Sequence, residues 1–222
     1  MPNRARSASK QTPNYQEEER LLNQGYWLVG GLDEAGRGPL AGPVAAAVVV
    51  LPPNPKGEWV GRVRDSKQMT RTQREFVLPY IQEEALEVEF GTSSSQEIDE
   101  LGIVAATRLA IKRALDSLAL LPQFLLLDAM PLLDVAIPQK AIVRGDASCL
   151  SIAAASIVAK VTRDRIMESQ DAVHPGYGFA RHKGYATREH LHNLKKLGPC
   201  PIHRYSFSPI KFSPIKRRAA PQ

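Results

Sequence analysis

The chain has 222 residues, 43% of them hydrophobic, with 29 Lys and Arg against 23 Asp and Glu and a formal charge of +6. That apolar content over that length builds one large or two small packed domains, and it excludes a chain disordered throughout, a collagen and a coiled coil. The longest apolar stretches, 40–51 and 118–127, are interrupted by prolines and too short to cross about 30 Å of bilayer, and the basic first dozen residues lack the apolar run of a secretory signal.

Residues 1 to about 13 are expected to be disordered, and Tyr15 to Asn23 reads as a short helix ended by Gly25. Tyr26 to Asp33 is apolar and β-prone. Val44 to Leu51 is a near-continuous run of small and branched residues, the pattern of a strand covered on both faces. Residues 52–67 read as loop. Thr70 and Gln73 have capping-box spacing for a helix to about Leu86, which Pro79 is expected to bend or interrupt. Leu86 to Phe90 alternates as a half-buried strand. Ser94 and Glu97 repeat the capping-box spacing, and Ile103, Ala106, Ala110, Ala114 and Leu118 recur at helical intervals opposite Arg108, Lys112, Arg113 and Asp116, which predicts one amphipathic helix. Phe124 to Asp128 and Ile137 to Arg144 read as a fourth and fifth strand. An Ala-rich helix from about Leu150 to Gln170, a loop over His174 to Tyr185 and a helix beginning at Thr187 follow. Strands alternating with helices predict an α/β layer fold with at least one parallel crossover.

The net charge hides an asymmetry. Residues 172–222 hold ten Lys and Arg against one acid, Glu189, a net +9, so the preceding 171 residues carry −3. All five histidines and six aromatics lie in that same stretch. Basic residues interleaved with aromatics suit a nucleic-acid backbone, because cations displace counterions from phosphates and rings stack on bases or sugars; a solvated basic face fits the charge equally well. Two cysteines, Cys149 and Cys200, give no disulfide framework and point to a reducing cytoplasm.

Four acids stand at or just beyond strand ends: Asp33 and Glu34 in GLDEAGRGP, Asp128 in FLLLD and Asp146 in VRGDAS. Side chains at strand ends of an α/β sheet converge where sites are built, and acids next to runs such as LLL are costly to bury without a cation or donors. One such Asp is most simply a cap or turn residue, but four together are harder to explain so. Oxygen-only ligation with no histidine before residue 174 favours Mg²⁺ or Mn²⁺ over zinc, and two such ions can serve phosphodiester hydrolysis. Strand alternation would send Asp33 and Glu34 to opposite faces, so both reach one site only if the strand ends at or between them; Gly36 and Gly38 supply the turn, and glycines there let backbone N–H groups approach a ligand.

In order along the chain, DEAGRGPLAGPV (Asp33 to Val44), DSK (Asp65 to Lys67), EIDELGI (Glu97 to Ile103), LLLDA (Leu125 to Ala129), GDASCLSIAAASIVAKVTRD (Gly145 to Asp164), HKGYATREH (His182 to His190) and HRYSF (His203 to Phe207) resemble ribonuclease HII, from about Tyr15 to Pro209. The resemblance implies an α/β RNase H-like fold, a central five-stranded mixed sheet flanked by helices with a C-terminal helical extension. It implies an N-terminal tail over 1–13, a catalytic domain over 14–172, a substrate-binding extension over 173–209 and a basic flexible tail over 210–222.

It further implies a metal-dependent endoribonuclease acting on RNA/DNA hybrids and on single ribonucleotides in duplex DNA, in replication and repair, with Mn²⁺ or Mg²⁺, as a cytoplasmic monomer. The product carries a 5′-phosphate and leaves a 3′-hydroxyl. By the same resemblance Asp33, Glu34, Asp128 and Asp146 hold metal, Gly36, Arg37 and Gly38 contact the 2′-hydroxyl through their backbone, Tyr185 packs on the following deoxyribose and Lys67 approaches the phosphate. Ribonuclease HIII, which lacks this G-R-G and carries an additional N-terminal domain, and a hybrid-binding protein without activity are the alternatives; a chain with about 25 residues before its first strand and four intact acids fits them less well.

Outside these motifs, Ser151 to Lys160 reads as small-residue helix packing. Lys160 and Arg163 are expected to meet backbone phosphates or else to be solvated or salt-bridged. Cys149 reads as a buried small residue, Cys200 and His203 as a C-x-x-H without the second pair a zinc site needs, and Asp99, Asp134 and Asp164 as caps or surface acids.

Overall fold

The computed structural model describes residues 12–128, 131–132 and 134–212. Of the tails expected over 1–13 and 210–222, residues 1–11 and 213–222 lie outside the described residues. Five strands form one mixed sheet in the order β3-β2-β1-β4-β5: β1 (Val29–Ala35), β2 (Val44–Val50), β3 (Glu87–Ser93), β4 (Phe124–Asp128) and β5 (Gln139–Ile142). β1, β2 and β3 make an antiparallel meander, and β4 and β5 run parallel to β1.

Helices cover both faces. α1 (Gln16–Leu22) precedes β1. α2 (Arg71–Glu84) joins β2 to β3, α3 (Ser95–Leu101) and α4 (Ile103–Asp116) join β3 to β4, and α5 (Gly145–Ser148) and α6 (Leu150–Val173) follow β5. α7 (Phe179–His182) and α8 (Arg188–Leu197) end the fold. Every residue of β2 is buried, and its alternation decides which helix it meets: Ala47 and Val49 join the core under α6 and α2, Ala46 and Val48 the core under α4. Alanine at 45–47 keeps this end of the strand thin, so that α6 and α4 both reach the sheet.

Both capping boxes form. Gln73 N–H donates to Thr70 Oγ1 and Thr70 N–H to the Gln73 side chain, and Ser94 with Glu97 does the same for α3. Each removes two unsatisfied donors and is worth about 1 kcal/mol. The single helix expected from Ser94 is two, because Gly102 takes φ +79° and breaks it between α3 and α4. α2 runs unbroken through Pro79. α6 has no side-chain cap of its own. Glu18, buried in α1, accepts the Ser151 N–H at 2.7 Å and faces Cys149 Sγ at 3.1 Å, and so brings a negative charge to the positive end of a 24-residue helix. Ile210, assigned from sequence to the flexible tail, is buried against Leu40 and Leu194.

Candidate active site

Pairing of β1 with β2 runs unbroken through Asp33, Glu34 and Ala35, opposite Ala47, Ala46 and Ala45. The expected strand end at the acids is therefore not observed, and alternation sends the two carboxylates to opposite faces, Asp33 toward α6 with Ala47 and Glu34 toward α4 with Ala46. β4 pairs with β1 up to Leu32 and Leu127, so Asp128 ends its strand one residue further on, level with Asp33. Asp146 stands in the first turn of α5, whose Gly145 N–H donates to Asp128 Oδ1 at 2.8 Å. Glu34 and Asp128 border one cleft of about 150 Å³ with Leu32, Arg37 and Thr107.

The local field is strongly negative. Burial, then the neighbouring Glu34 and Asp128, push the Asp33 carboxyl well above the ordinary carboxylate range. Burial also raises Asp128 and Asp146, against the Gly145 N–H in the first case and Lys67 in the second. Lys67 Nζ lies 3.3 Å from Asp146 Oδ2; burial pulls its ammonium down, but Asp146 and Asp33 outweigh that and hold it above its ordinary value. Arg37 Nη1 meets Glu34 Oε1 at 3.1 Å. Two cations thus face four carboxylates. Oxygen donors short of counter-charge fit a hard divalent ion in chemistry and in charge, and Asp33, Glu34, Asp128 and Asp146 are the acids that would hold one. Among the described residues no three His, Cys, Asp or Glu side chains converge closely enough to enclose an ion.

The loop leaving β1 is tied down from a distance. Gly36 has φ +95°, and a Cβ there would stand 2.0 Å from Arg163 Nε, so only glycine fits; around Gly38 nothing lies within 4 Å of the corresponding position. Leu40 N–H donates to Gly184 O at 2.8 Å and Arg204 N–H to Leu40 O at 2.8 Å, which lays both the KGY turn and the HRYSF segment against the loop. Tyr185, 43% exposed, comes up beside Lys160 and Arg163, whose cationic ends lie 5.7 and 5.9 Å from its ring centroid. The acids, the G-R-G loop, Lys67 and Tyr185 are thus carried by neighbouring segments, and a family model described as Ribonuclease HII matches residues 30–210.

The chain belongs to the ribonuclease HII family. It is 50% identical over 199 residues to the ribonuclease HII of Dehalococcoides mccartyi, 90% of this chain and 94% of that one. Among solved structures it is similar to the ribonuclease H2 of Pyrococcus horikoshii, with a TM-score of 0.69 at 27% identity over 83% of this chain and 96% of that one. A ribonuclease HIII, Bst-RNase HIII in complex with Mn²⁺, shares the fold alone, with a TM-score of 0.60 at 17% identity over 94% and 76% of the two chains. The sheet and its helices are RNase H-like, as expected, and this ribonuclease HII is a metal-dependent endoribonuclease.

Several side chains of this ribonuclease HII do other work than their sequence suggests. Arg163 is fully buried and donates to Pro43 O at 2.9 Å and Ala41 O at 3.1 Å, so it is neither solvated nor salt-bridged, whereas Lys160 takes one of its expected roles and pairs with Asp164 at 2.8 Å. Asp99 is more specific than a cap: it accepts Tyr205 N–H and Ser206 N–H, both at 2.8 Å, and fixes the HRYSF segment. Cys200 and His203 are consumed internally. Cys200 N–H donates to His203 Nδ1 at 2.9 Å, so the proton is on Nε2, which donates to His190 Nε2 at 3.0 Å; His190 Nδ1–H then donates to Tyr185 O at 2.9 Å. Both His203 nitrogens are committed and none is left for zinc.

Nor is the +9 segment a single gripping surface. Arg204 is buried whole, Lys183 pairs with Glu168 at 2.7 Å and Arg181 with Glu189, while Arg188, Lys195 and Lys196 on α8 face outward. No sequence signal separates the buried arginines from the exposed ones. Among the described residues no helix is long and apolar enough to cross a membrane.

Proposed function

We propose that this ribonuclease HII cleaves the RNA strand of RNA/DNA hybrids and nicks duplex DNA on the 5′ side of a single embedded ribonucleotide. Water attacks the phosphorus, the bond to the preceding 3′ oxygen breaks, and the products are a 5′-phosphate on the ribonucleotide and a free 3′-hydroxyl. The observation that carries this reading is continuity. Asp33 and Glu34 run directly into the G-R-G loop, so the carboxylates at the sheet end and the backbone that would read a 2′-hydroxyl are held by one strand.

Asp33, Glu34, Asp128 and Asp146 hold two Mg²⁺ or Mn²⁺ ions in this reading, in line with their oxygen-only donors and with the raised carboxyls of Asp33, Asp128 and Asp146. Such ions supply a water nucleophile at neutral pH and offset the charge growing on the leaving oxygen. Lys67 neutralises Asp146 and reaches the scissile phosphate. Gly36, Arg37 and Gly38 contact the 2′-hydroxyl through their backbone, the open space at Gly38 leaving room for a sugar. Tyr185 packs on the deoxyribose that follows, and the exposed Arg188, Lys195 and Lys196 follow the duplex backbone. The free, buried Cys149 and Cys200 suit a reducing cytoplasm.

The test is a duplex bearing one ribonucleotide, incubated with Mg²⁺, with Mn²⁺ or with EDTA, beside matched all-DNA and RNA/DNA duplexes. The expected result is one metal-dependent cut 5′ of the ribonucleotide and several in the RNA strand of the hybrid. Absence of the first cut overturns the reading.

A further inference from the structure

Arg204 and Arg163 are fully buried, and neither meets a carboxylate within ion-pair distance among the described residues. A buried cation without a counter-charge is costly unless dipoles replace water. Here the dipoles all belong to one loop. Arg204 donates from Nη2 to Gly36 O at 2.6 Å and Pro43 O at 3.1 Å, from Nη1 to Arg37 O at 2.9 Å and from Nε to Gly42 O at 3.0 Å. Arg163 adds its bonds to Pro43 O and Ala41 O. Together the two guanidinium groups take the carbonyls of Gly36, Arg37, Ala41, Gly42 and Pro43.

The peptide group is planar and trans, so its C=O and N–H point in opposite directions. Drawing the Gly36 and Arg37 carbonyls inward onto Arg204 turns the Arg37 and Gly38 N–H groups away from it, and a Cβ at Gly38 would meet nothing within 4 Å. A planar fork with five donors can hold several carbonyls at once; an ammonium cannot match that geometry. Arg204 is itself anchored, its backbone N–H on Leu40 O, its guanidinium 5.1 Å above the Phe207 ring and its next two residues on Asp99.

We propose that Arg204, supported by Arg163, is the positioning residue for ribonucleotide recognition: it fixes the Gly36–Gly38 peptide groups so that the Arg37 and Gly38 N–H groups meet the 2′-hydroxyl of the substrate. This rests on the reading that the G-R-G loop senses that hydroxyl. Neither arginine touches substrate. Both act by denying the loop any conformation in which the Gly36 and Arg37 carbonyls turn outward in place of the Arg37 and Gly38 N–H groups.

The test separates loop geometry from folding. Arg204→Lys keeps the charge and loses the fork. For wild type and variant, kcat and KM are measured on a duplex with one ribonucleotide, and Kd on the same sequence as all DNA with metal withheld. The expected result is a fall of about tenfold or more in kcat/KM, carried by kcat, with the Kd for all-DNA duplex unchanged within about twofold. Should Arg204→Lys fail to fold, Arg163→Lys leaves four of the loop's carbonyl bonds in place and is expected to give a smaller loss of the same form. Nicking within about twofold of wild type, or loss of all-DNA binding in step with cleavage, overturns the inference. A wild-type protein that does not nick beside the ribonucleotide removes the underlying reading instead.

Discussion

Lys67 Nζ and Asp146 Oδ2 stand 3.3 Å apart, joining the turn before α2 to the helix turn after β5 and setting a mobile positive charge over a fixed negative one. Lys67 is the exposed member, Asp146 the buried one. Removing the cation leaves the acids more negative. The Lys67→Met variant is therefore expected to bind Mn²⁺ a few-fold more tightly while its KM for the nucleic acid rises, because the same charge that competes with the ion attracts the phosphate. Calorimetric titration of Mn²⁺ together with steady-state nicking checks both; weaker Mn²⁺ binding would mean that Lys67 acts by orienting Asp146.

Asp33 gives the opposite trade. Burial and its acidic neighbours raise its carboxyl, so the folded protein holds that proton to higher pH than the unfolded chain does. The sign follows: this group costs nothing below its unfolded pKa near 4, and stability is lost as pH rises from there through the folded value. Asp33→Asn is expected to raise Tm at pH 8 in EDTA by a few degrees, since about 1 kcal/mol moves a chain of this size by about 2–4 °C, with the gain shrinking toward pH 4. The variant is expected to lose cleavage and most of the stabilisation that Mg²⁺ or Mn²⁺ gives wild type. Paired melting curves at the two pH values, with and without ion, check it.

The acids and the loop were legible in the sequence because they are local: DEAGRG, LLLD and GDAS each sit within a few residues of an apolar run. So were the capping boxes of α2 and α3, whose partners are three residues apart. What was not legible is long-range. Arg204 reads as one more base in a +9 segment, and nothing within ten residues says that it will be buried under Gly36, 168 positions away. Glu18 likewise reads as one of three acids in α1 until Ser151 comes to meet it. The strand end at Glu34 was misjudged for the same reason. Gly36 does turn the chain, but β2 keeps pairing through Ala35 on the other side.

Gly36 and Gly38 separate folding from recognition. Gly36→Ala puts a Cβ at φ +95° and 2.0 Å from Arg163 Nε, and is expected to cost about 2 kcal/mol or more and to reduce nicking through misplacement of the loop. Gly38→Ala meets nothing within 4 Å, so its stability should stay within about 0.5 kcal/mol of wild type. If a sugar approaches the backbone there, Gly38→Ala nonetheless loses about tenfold or more in kcat/KM on a single-ribonucleotide duplex. Thermal melting and nicking of the two variants side by side distinguish a strained loop from an occupied one; full activity of Gly38→Ala would move the sugar elsewhere.

The histidine chain beneath Tyr185 makes the C-terminal segment acid-sensitive. His203 must stay neutral to accept from Cys200 N–H and donate to His190, and burial followed by the nearby His190 holds it down to about 3; burial also lowers His190. A histidine whose folded pKa is depressed contributes stability that is complete above its unfolded pKa of about 6.5 and is lost as pH falls from there toward the folded value, by up to about 1.4 kcal/mol per pH unit. This loss opposes the gain from protonating Asp33, so it is read between pH 7 and pH 5 as the difference in urea unfolding midpoint between wild type and a His203 variant. His203→Asn, whose side-chain oxygen can still accept from Cys200 N–H, is expected to be less stable at pH 7 and to show a flatter profile. Because His190 Nδ1–H holds the Tyr185 carbonyl, nicking should decline over the same range in wild type faster than the binding of all-DNA duplex, and a profile in which cleavage and binding fall together would detach Tyr185 from this chain.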